Sequence, residues 1–123
     1  MSQSLQDFSN GLVEAVSNVG ASVVQVDGRR RGSASGIIWT ADGMIVTANH
    51  ALHRDDSLGV GLADGQTVEA TLIGRDPSTD LALLKIAATG LKTAEIAAAE
   101  EIAVGQFVLA LGRPGRTVHA TSG

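Results

Sequence analysis

The sequence predicts an all-β fold, a Greek-key antiparallel barrel of about six strands preceded by one helix. Three observations favour this fold. Short apolar or alternating segments follow one another from residue 22 onward, turn signals such as Asp-Gly separate them, and 15 glycines in 123 residues supply tight turns. A chain of this length is expected to form one domain.

Residues 4–19 are predicted to form the helix. Apolar residues recur there at steps of three and four with polar residues between them, which is the spacing of one buried helix face. Gly11 lies inside this segment and Gly20 provides a stop signal at its end. The expected organisation is a helix over residues 1–20 and a barrel over residues 21–123.

Each predicted strand is a short segment that ends at a turn. Its residues are β-branched, or mostly apolar, or alternately polar and apolar. Asp-Gly turns at residues 41–43 and 63–65 each link two such segments into a hairpin. The strands predicted in this way cover residues 22–26, 33–40, 44–47, 58–62, 66–73, 81–86 and 106–111. Residues 92–104 are rich in helix formers and favour a helix when taken alone. The strand spacing around them instead predicts a short strand near residues 95–97, followed by a turn.

Composition excludes several classes of function. The chain has no cysteine, which removes disulfides, thiolate metal ligands and cysteine nucleophiles. The net charge is -4 and no Lys/Arg-rich face stands out, so a nucleic-acid role has little support. The first ten residues lack the basic and apolar regions of a signal peptide, and no apolar stretch is long enough to span a bilayer. The chain as given is therefore expected to be cytoplasmic, with no membrane partner and no cofactor.

His50 is the first candidate catalytic residue. It directly follows the strand predicted at 44–47, among small residues, where a side chain is well placed to act as a general base. An imidazole can accept a proton at neutral pH and return it. The alternative is an ordinary surface histidine in a loop.

Asp80 is the second candidate, because it lies just before the strongly apolar strand predicted at 81–86. A carboxylate that is partly buried there needs a hydrogen-bonding partner, and the N–H of a histidine is one such partner. The alternative is a turn aspartate that bonds its own backbone, which the Asp76-Pro77 pair also resembles.

Three segments in order resemble serine proteases of the HtrA/Deg type. GSASGIIWTADGMIVTANHAL (32–52) is similar to the family's Gly-Ser-x-Ser-Gly strand, hairpin and Thr-x-x-His strand end. GRDPSTDLALLKI (74–86) resembles the run whose second aspartate is the triad acid, and VGQFVLALGRPGRTVHATSG (104–123) resembles the stretch that crosses to a second barrel. One departure is Gly-Arg-Pro-Gly at 112–115, where relatives often have Gly-Asn-Pro-Phe-Gly; it concerns the crossover rather than the active site.

The resemblance implies a trypsin-like serine endopeptidase that hydrolyses polypeptides. His50 would be its general base and Asp80 the partner that orients the imidazole, with Thr47 and Ala48 shaping the histidine loop. The nucleophile is expected in a Gly-x-Ser-Gly-Gly segment of a second barrel, and these 123 residues contain no such segment. The chain alone is therefore predicted to be inactive. Many relatives act outside the cytoplasm.

Other residues favour weaker alternatives. Ser33 and Ser35 lie in a predicted strand rather than at a nucleophile turn. A metal site could combine His50 and His53 with nearby carboxylates, but a single His-x-x-His pair is a weak signal. These carboxylates are Asp55, Asp56 and Asp80. Arg29, Arg30 and Arg31 are predicted to form a solvated turn, with a patch that binds acidic ligands as the alternative. Glu100 and Glu101 are predicted to be solvated, and His119 to lie on the surface of a strand.

A function of a different class also stays open. A single first barrel is expected to leave an apolar face exposed, and faces of this kind find partners. The chain could then be a non-catalytic module that binds peptides, as a degenerate protease would, or that self-associates through residues 118–123.

Overall fold

The computed structural model describes residues 2–28 and 32–123. Within these ranges the chain forms one helix, α1, which precedes a series of short strands, and two 3₁₀ turns at Asn49–Ala51 and Ala99–Glu101. The elements are α1 (Gln3–Gly20), β1 (Val23–Asp27), β2 (Ala34–Ile38), β3 (Met44–Ala48), β4 (Leu58–Gly61), β5 (Thr67–Asp76), β6 (Leu81–Ile86), β7 (Leu109–Gly112) and β8 (His119–Ser122).

Six of the strands close into an antiparallel barrel in the order β1-β2-β3-β6-β5-β4. The barrel closes because β4 pairs back onto β1. β3 pairs with β6 rather than with β4. The chain therefore forms β4 and β5 elsewhere in the barrel before β6 returns beside β3, as in a Greek key. The predicted fold, a six-stranded antiparallel barrel with an N-terminal helix, is confirmed.

The barrel interior is filled by aliphatic side chains, because alternate residues of each strand point inward. Gly36 on β2 leaves room for this packing: a Cβ atom there would lie 3.0 Å from side-chain atoms of both Val26 and Ile45. The buried core residues are Val24, Val26, Ile38, Ile45, Leu52, Leu58, Val60, Ala82, Leu84 and Ile86. Their burial removes apolar surface from water, which is the main stabilising contribution in a chain with few aromatic residues.

The turn between β2 and β3 requires a glycine. Gly43 has φ 115°, a conformation that residues with a Cβ rarely adopt. A Cβ atom at this position would also lie 2.2 Å from the carbonyl oxygen of Ile86. The last residue of β6 also stabilises this turn, because the Ile86 N–H donates to the Gly43 carbonyl at 2.9 Å.

The helix lies outside the barrel, as predicted, and runs beside the hairpin of β7 and β8. Ser2 caps its first turn, since the Ser2 hydroxyl accepts a hydrogen bond from the Leu5 N–H at 3.3 Å. The Phe8 ring meets the Phe107 ring edge to face, with ring centroids 5.4 Å apart. A shallow groove between helix and hairpin is lined by Leu12, Val13, Val16, Leu109, Ala120 and Ser122.

The last predicted strand is shorter than expected and lies outside the barrel. It begins at Leu109 rather than at residue 106, and it pairs with β8 in a separate two-stranded sheet. The chain after residue 108 is therefore a hairpin attached to the barrel, not a barrel strand. His119 lies exposed on β8, which agrees with the strand-surface position predicted for it.

The short strand predicted near residues 95–97 was wrong, and so was the helix that the composition of 92–104 favours when taken alone; the turn predicted after the strand is present. The structure has neither a strand near 95–97 nor an α-helix there, and the 3₁₀ turn at Ala99–Glu101 and a turn at residues 104–105 interrupt an otherwise irregular chain. The reason is that this segment makes isolated hydrogen bonds to carbonyls elsewhere in the chain instead of the regular backbone hydrogen bonds of a paired strand. The Ala94 N–H donates to the Ile38 carbonyl at 3.3 Å, and the Lys92 side chain donates to the Asn18 carbonyl at 2.7 Å.

Glu100 and Glu101 are exposed in the 3₁₀ turn, as predicted. The hypotheses for Arg29, Arg30 and Arg31 concern positions outside the described residues. A search of residues 2–28 and 32–123 finds no helix with both the length and the hydrophobicity needed to cross a membrane.

Candidate active site

The register of two neighbouring strands brings the two candidate residues together. β3 ends at Ala48, which pairs with Leu81 at the start of β6. The residues just beyond β3 and just before β6 must therefore meet at the same end of the barrel. The Asn49 N–H donates to the Asp80 carbonyl at 2.9 Å, which extends the pairing by one more bond.

His50 contacts both carboxylate oxygens of Asp80. The His50 backbone N–H donates to Oδ1 at 2.8 Å, and the ring atom Nδ1 lies 2.5 Å from Oδ2. Asp80 has φ 59°, in the left-handed region that aspartate tolerates better than most residues with a Cβ. The two contacts fix the position of the imidazole relative to the carboxylate.

The charge state of Asp80 follows from these contacts. The side-chain hydrogen bond from His50 holds the pKa of Asp80 below its ordinary value of 3.8, with the His50 backbone N–H as the next cause. Asp80 is therefore an ionised, acceptor-only group at neutral pH. Nδ1 must then carry the ring proton, which leaves Nε2 of the neutral imidazole as a proton acceptor.

The pair lies at the surface of this chain. The side chains of His50 and Asp80 are 77% and 47% exposed. Water can therefore reach the imidazole from the side opposite Asp80, and so can another part of a protein.

Replacing His50 by alanine is expected to raise the pKa of Asp80 towards 3.8, because the largest cause of its lowering is removed. The backbone N–H of residue 50 still donates, so part of the lowering remains. In the wild-type chain, ionised Asp80 stabilises the fold fully above its ordinary pKa, and this contribution is lost as pH falls through the lowered pKa. A carboxyl titration followed by ¹³C NMR measures both midpoints.

Asp76 is the internal control for this titration. The pKa of Asp76 is also below its ordinary value, but the causes are hydrogen bonds from Ser78 and Thr79. Its midpoint should stay the same in His50→Ala. Equal Asp80 midpoints in the two chains would contradict the assigned cause.

An apolar groove runs beside Asp80. It is formed where β2, β3 and β6 present side chains to the outside, with Leu111 of the hairpin at one end. Ile37 and Leu81 in this groove are 41% and 52% exposed. Thr47 lies under it, almost fully buried, and its hydroxyl donates to the Ser35 carbonyl at 2.8 Å.

Ser33 and Ser35 have structural partners at the crossover loop. The Ser33 hydroxyl donates to the Pro114 carbonyl at 2.5 Å, and the Ser35 hydroxyl accepts from the Arg113 N–H at 2.7 Å. Among the described residues, neither hydroxyl hydrogen-bonds to His50. The Gly-Ser-Ala-Ser-Gly run therefore holds the loop after β7 against β1 and β2.

The other sequence candidates do not gather around His50. The His53 backbone N–H donates to the Gly28 carbonyl at 2.8 Å, and Asp55 forms an ion pair with Arg75 at 2.7 Å. Over the parts of the chain that the structure describes, no three His, Asp or Glu side chains are grouped to hold a metal ion.

Sequence reasoning missed two arginines whose side chains bond several backbone carbonyls. Arg75 bonds the turn that carries His50, and Arg113 is almost fully buried between the helix end and β1. Neither arginine lies in a sequence motif that indicates its role. The only signal for Arg113 was its position in the Gly-Arg-Pro-Gly departure at 112–115.

Comparison with known proteins shows the family of this chain. The family described as "Trypsin-like peptidase domain" matches residues 34–123. A protein of Ectopseudomonas mendocina (strain ymp) named "Probable periplasmic serine endoprotease DegP-like" is 43% identical over 88 residues, covering 72% of this chain and 19% of its own length. A protein of the same name from Halomonas elongata is 41% identical over 95 residues, covering 76% of this chain and 20% of its own length.

The chain spans about a fifth of the length of the curated relatives it matches. The match to the family nevertheless covers most of the chain, from β2 to the last residue. The barrel and the sequence similarity together show that this chain belongs to the trypsin-like peptidase domain family, as an HtrA/Deg-type member.

Proposed function

We propose that His50 and Asp80 are the general base and the orienting acid of a Ser-His-Asp endopeptidase. The observation that supports this most directly is the double contact between them, in which both Asp80 oxygens accept from His50. That contact selects the tautomer in which Nε2 can take a proton from a serine hydroxyl. A relative at 43% identity is named a serine endoprotease, which supports the same chemistry.

The proposed reaction is acyl transfer from a peptide to a serine and then to water. The serine oxygen attacks the peptide carbonyl as its proton passes to Nε2 of His50, and Asp80 stabilises the imidazolium that forms. His50 then gives that proton to the leaving amine, and water releases the acyl group in a second, equivalent step. The substrate class is polypeptide, as the relatives' name implies.

The 123 residues alone are proposed to be inactive. They contain His50 and Asp80 but no Gly-x-Ser-Gly-Gly segment, and Ser33 and Ser35 are bound to the crossover loop. The serine and the oxyanion donors would come from a second barrel of the whole protein. The exposed imidazole of His50 leaves room for such a segment to approach.

A fluorophosphonate probe tests this proposal, because it labels a serine only when a general base activates it. The whole reading frame that contains these residues should be labelled, and its His50→Ala variant should not. The 123-residue chain should stay unlabelled in the same reaction. Labelling that persists in His50→Ala would refute the role of His50, and labelling of the 123-residue chain would refute its inactivity.

A second candidate is a module that binds peptides or a second copy without cutting them. The observation that favours it is the apolar groove beside Asp80, in which Ile37 and Leu81 are about half exposed. Self-association, predicted through residues 118–123, remains a prediction. Light scattering after gel filtration decides it: a concentration-dependent rise in mass supports association, and a constant monomer mass rejects it.

The relatives' names also bear on location. They are called periplasmic, which supports an extracytoplasmic location for the whole protein rather than the cytoplasmic one expected from the first ten residues. Fractionation of cells that produce the whole protein distinguishes the two, since only one fraction should contain it.

A further inference from the structure

Arg75 reaches the turn that carries His50 from a different strand. It lies near the end of β5, and its side chain lies along the surface with 28% of its area exposed. Nε donates to the Asn49 side-chain oxygen at 2.6 Å, and Nη2 donates to the Asn49 and Leu52 carbonyls at 3.0 and 2.7 Å. Nη1 bonds the Asp55 carboxylate at 2.7 Å.

These acceptors lie on both sides of His50. Asn49 begins the 3₁₀ turn and Leu52 follows its last residue, so one guanidinium joins the two ends of the turn. A single 3₁₀ turn is weakly held by its own hydrogen bonds. Its orientation therefore depends on bonds from outside, and Arg75 supplies three of them.

The chemistry of the side chain suits this task. A guanidinium is planar and presents several N–H groups in fixed directions, so it can set the relative positions of several acceptors. A lysine in the same place would keep the charge but would be a single donor group without that fixed geometry. The Asp55 carboxylate balances the charge of Arg75 at the surface.

We propose that Arg75 is a positioning residue, which orients the His50 imidazole against Asp80 by holding both ends of the Asn49–Ala51 turn. The catalytic consequence rests on the proposed peptidase function, whereas the effect on the His50–Asp80 contact does not. Arg75 touches neither His50 nor Asp80 through any of the four bonds above, so it acts through the turn.

The first test uses the 123-residue chain and needs no activity. Arg75→Lys should raise the pKa of Asp80 towards 3.8, because the two His50 donors move away from the carboxylate. Lysine keeps the positive charge, so a shift in this variant reports on geometry rather than on lost charge. Carboxyl titration by ¹³C NMR measures it, and amide spectra of the core strands verify that the barrel is intact.

Two further variants keep this test decisive. Asn49→Ala removes one acceptor of Arg75 from the other side and should shift the Asp80 midpoint in the same direction by a smaller amount. Arg116→Met removes an exposed arginine elsewhere and should leave the midpoint unchanged. An Asp80 midpoint in Arg75→Lys that equals the wild-type value, with the barrel intact, would overturn the proposal.

The second test separates this inference from the proposed function. In the whole protein, Arg75→Lys should lower kcat about 10- to 100-fold with KM unchanged, since a misplaced base slows the chemical step without weakening substrate binding. Turnover that survives His50→Ala would reject the peptidase proposal and leave the titration result standing. Loss of turnover in His50→Ala, together with normal titration and normal kcat in Arg75→Lys, would reject the role of Arg75 alone.

Discussion

Asp80→Asn in the whole protein is expected to lower kcat about 10⁴-fold, the size of the effect when the acid of a trypsin-type triad is replaced in this way. The physical reason is the tautomer of His50. An asparagine side chain can present its NH₂ group to Nδ1, which favours the ring with its proton on Nε2. That ring has no lone pair on Nε2 to accept the serine proton.

Asparagine is a well-matched replacement at this position. It tolerates the left-handed backbone at φ 59° about as well as aspartate, so the fold should not change. Asp64→Asn is the control, because Asp64 accepts from the Gln66 N–H in a distant hairpin turn and asparagine can do the same. Steady-state kinetics on a peptide substrate compares the two. If the kcat of Asp80→Asn were within a few-fold of the kcat of Asp64→Asn, the proposed role of Asp80 would be wrong.

Arg113→Met should lower the free energy of unfolding by about 3 kcal/mol. The Arg113 side chain is buried and donates to the Val23 carbonyl at 2.8 Å and the Gly20 carbonyl at 2.9 Å, with a third bond to the Arg116 carbonyl. Methionine fills much of the same space but donates nothing. The Val23 and Gly20 carbonyls would then lose these donors at buried positions, which costs more than is regained by removing the charge.

Urea unfolding of the 123-residue chain measures this change as a lower midpoint at an unchanged slope. Arg116→Met, at an exposed position three residues further on, should stay within about 0.5 kcal/mol of the wild type. A loss of about 3 kcal/mol is a large share of the stability of a small domain. Equal midpoints for Arg113→Met and the wild type would mean that these bonds only offset the cost of burying the charge.

The barrel could be predicted because its strands are short, apolar and separated by strong turn signals. β6 was predicted with its observed bounds, and the turn at Gly43 was placed where the structure has it. The segment 92–104 could not be predicted from its own composition. It bonds single carbonyls of other elements, those of Ile38 and Asn18, and no local pattern in the sequence describes such contacts.

Part of the candidate site could also be predicted from the sequence, and part could not. His50 and Asp80 could be proposed because each lies next to a recognisable strand, and the resemblance gave them a shared role. The sequence could not show the β3–β6 register that brings them together. It also could not show that Arg75 and Arg113 reach carbonyl acceptors on distant parts of the chain. An arginine with a long side chain carries no local sign of which distant acceptors it will meet.

The tautomer of His50 in the 123-residue chain tests the central claim, that this barrel alone already orients the imidazole. Long-range ¹H–¹⁵N NMR distinguishes the two ring nitrogens at alkaline pH, where imidazoles are neutral. The account predicts a proton on Nδ1 of His50 in the wild type and a shift towards the Nε2 form in Asp80→Asn, with His119 on β8 as an unchanged reference. A wild-type His50 that holds its proton on Nε2, in a chain whose barrel is intact, would contradict the account.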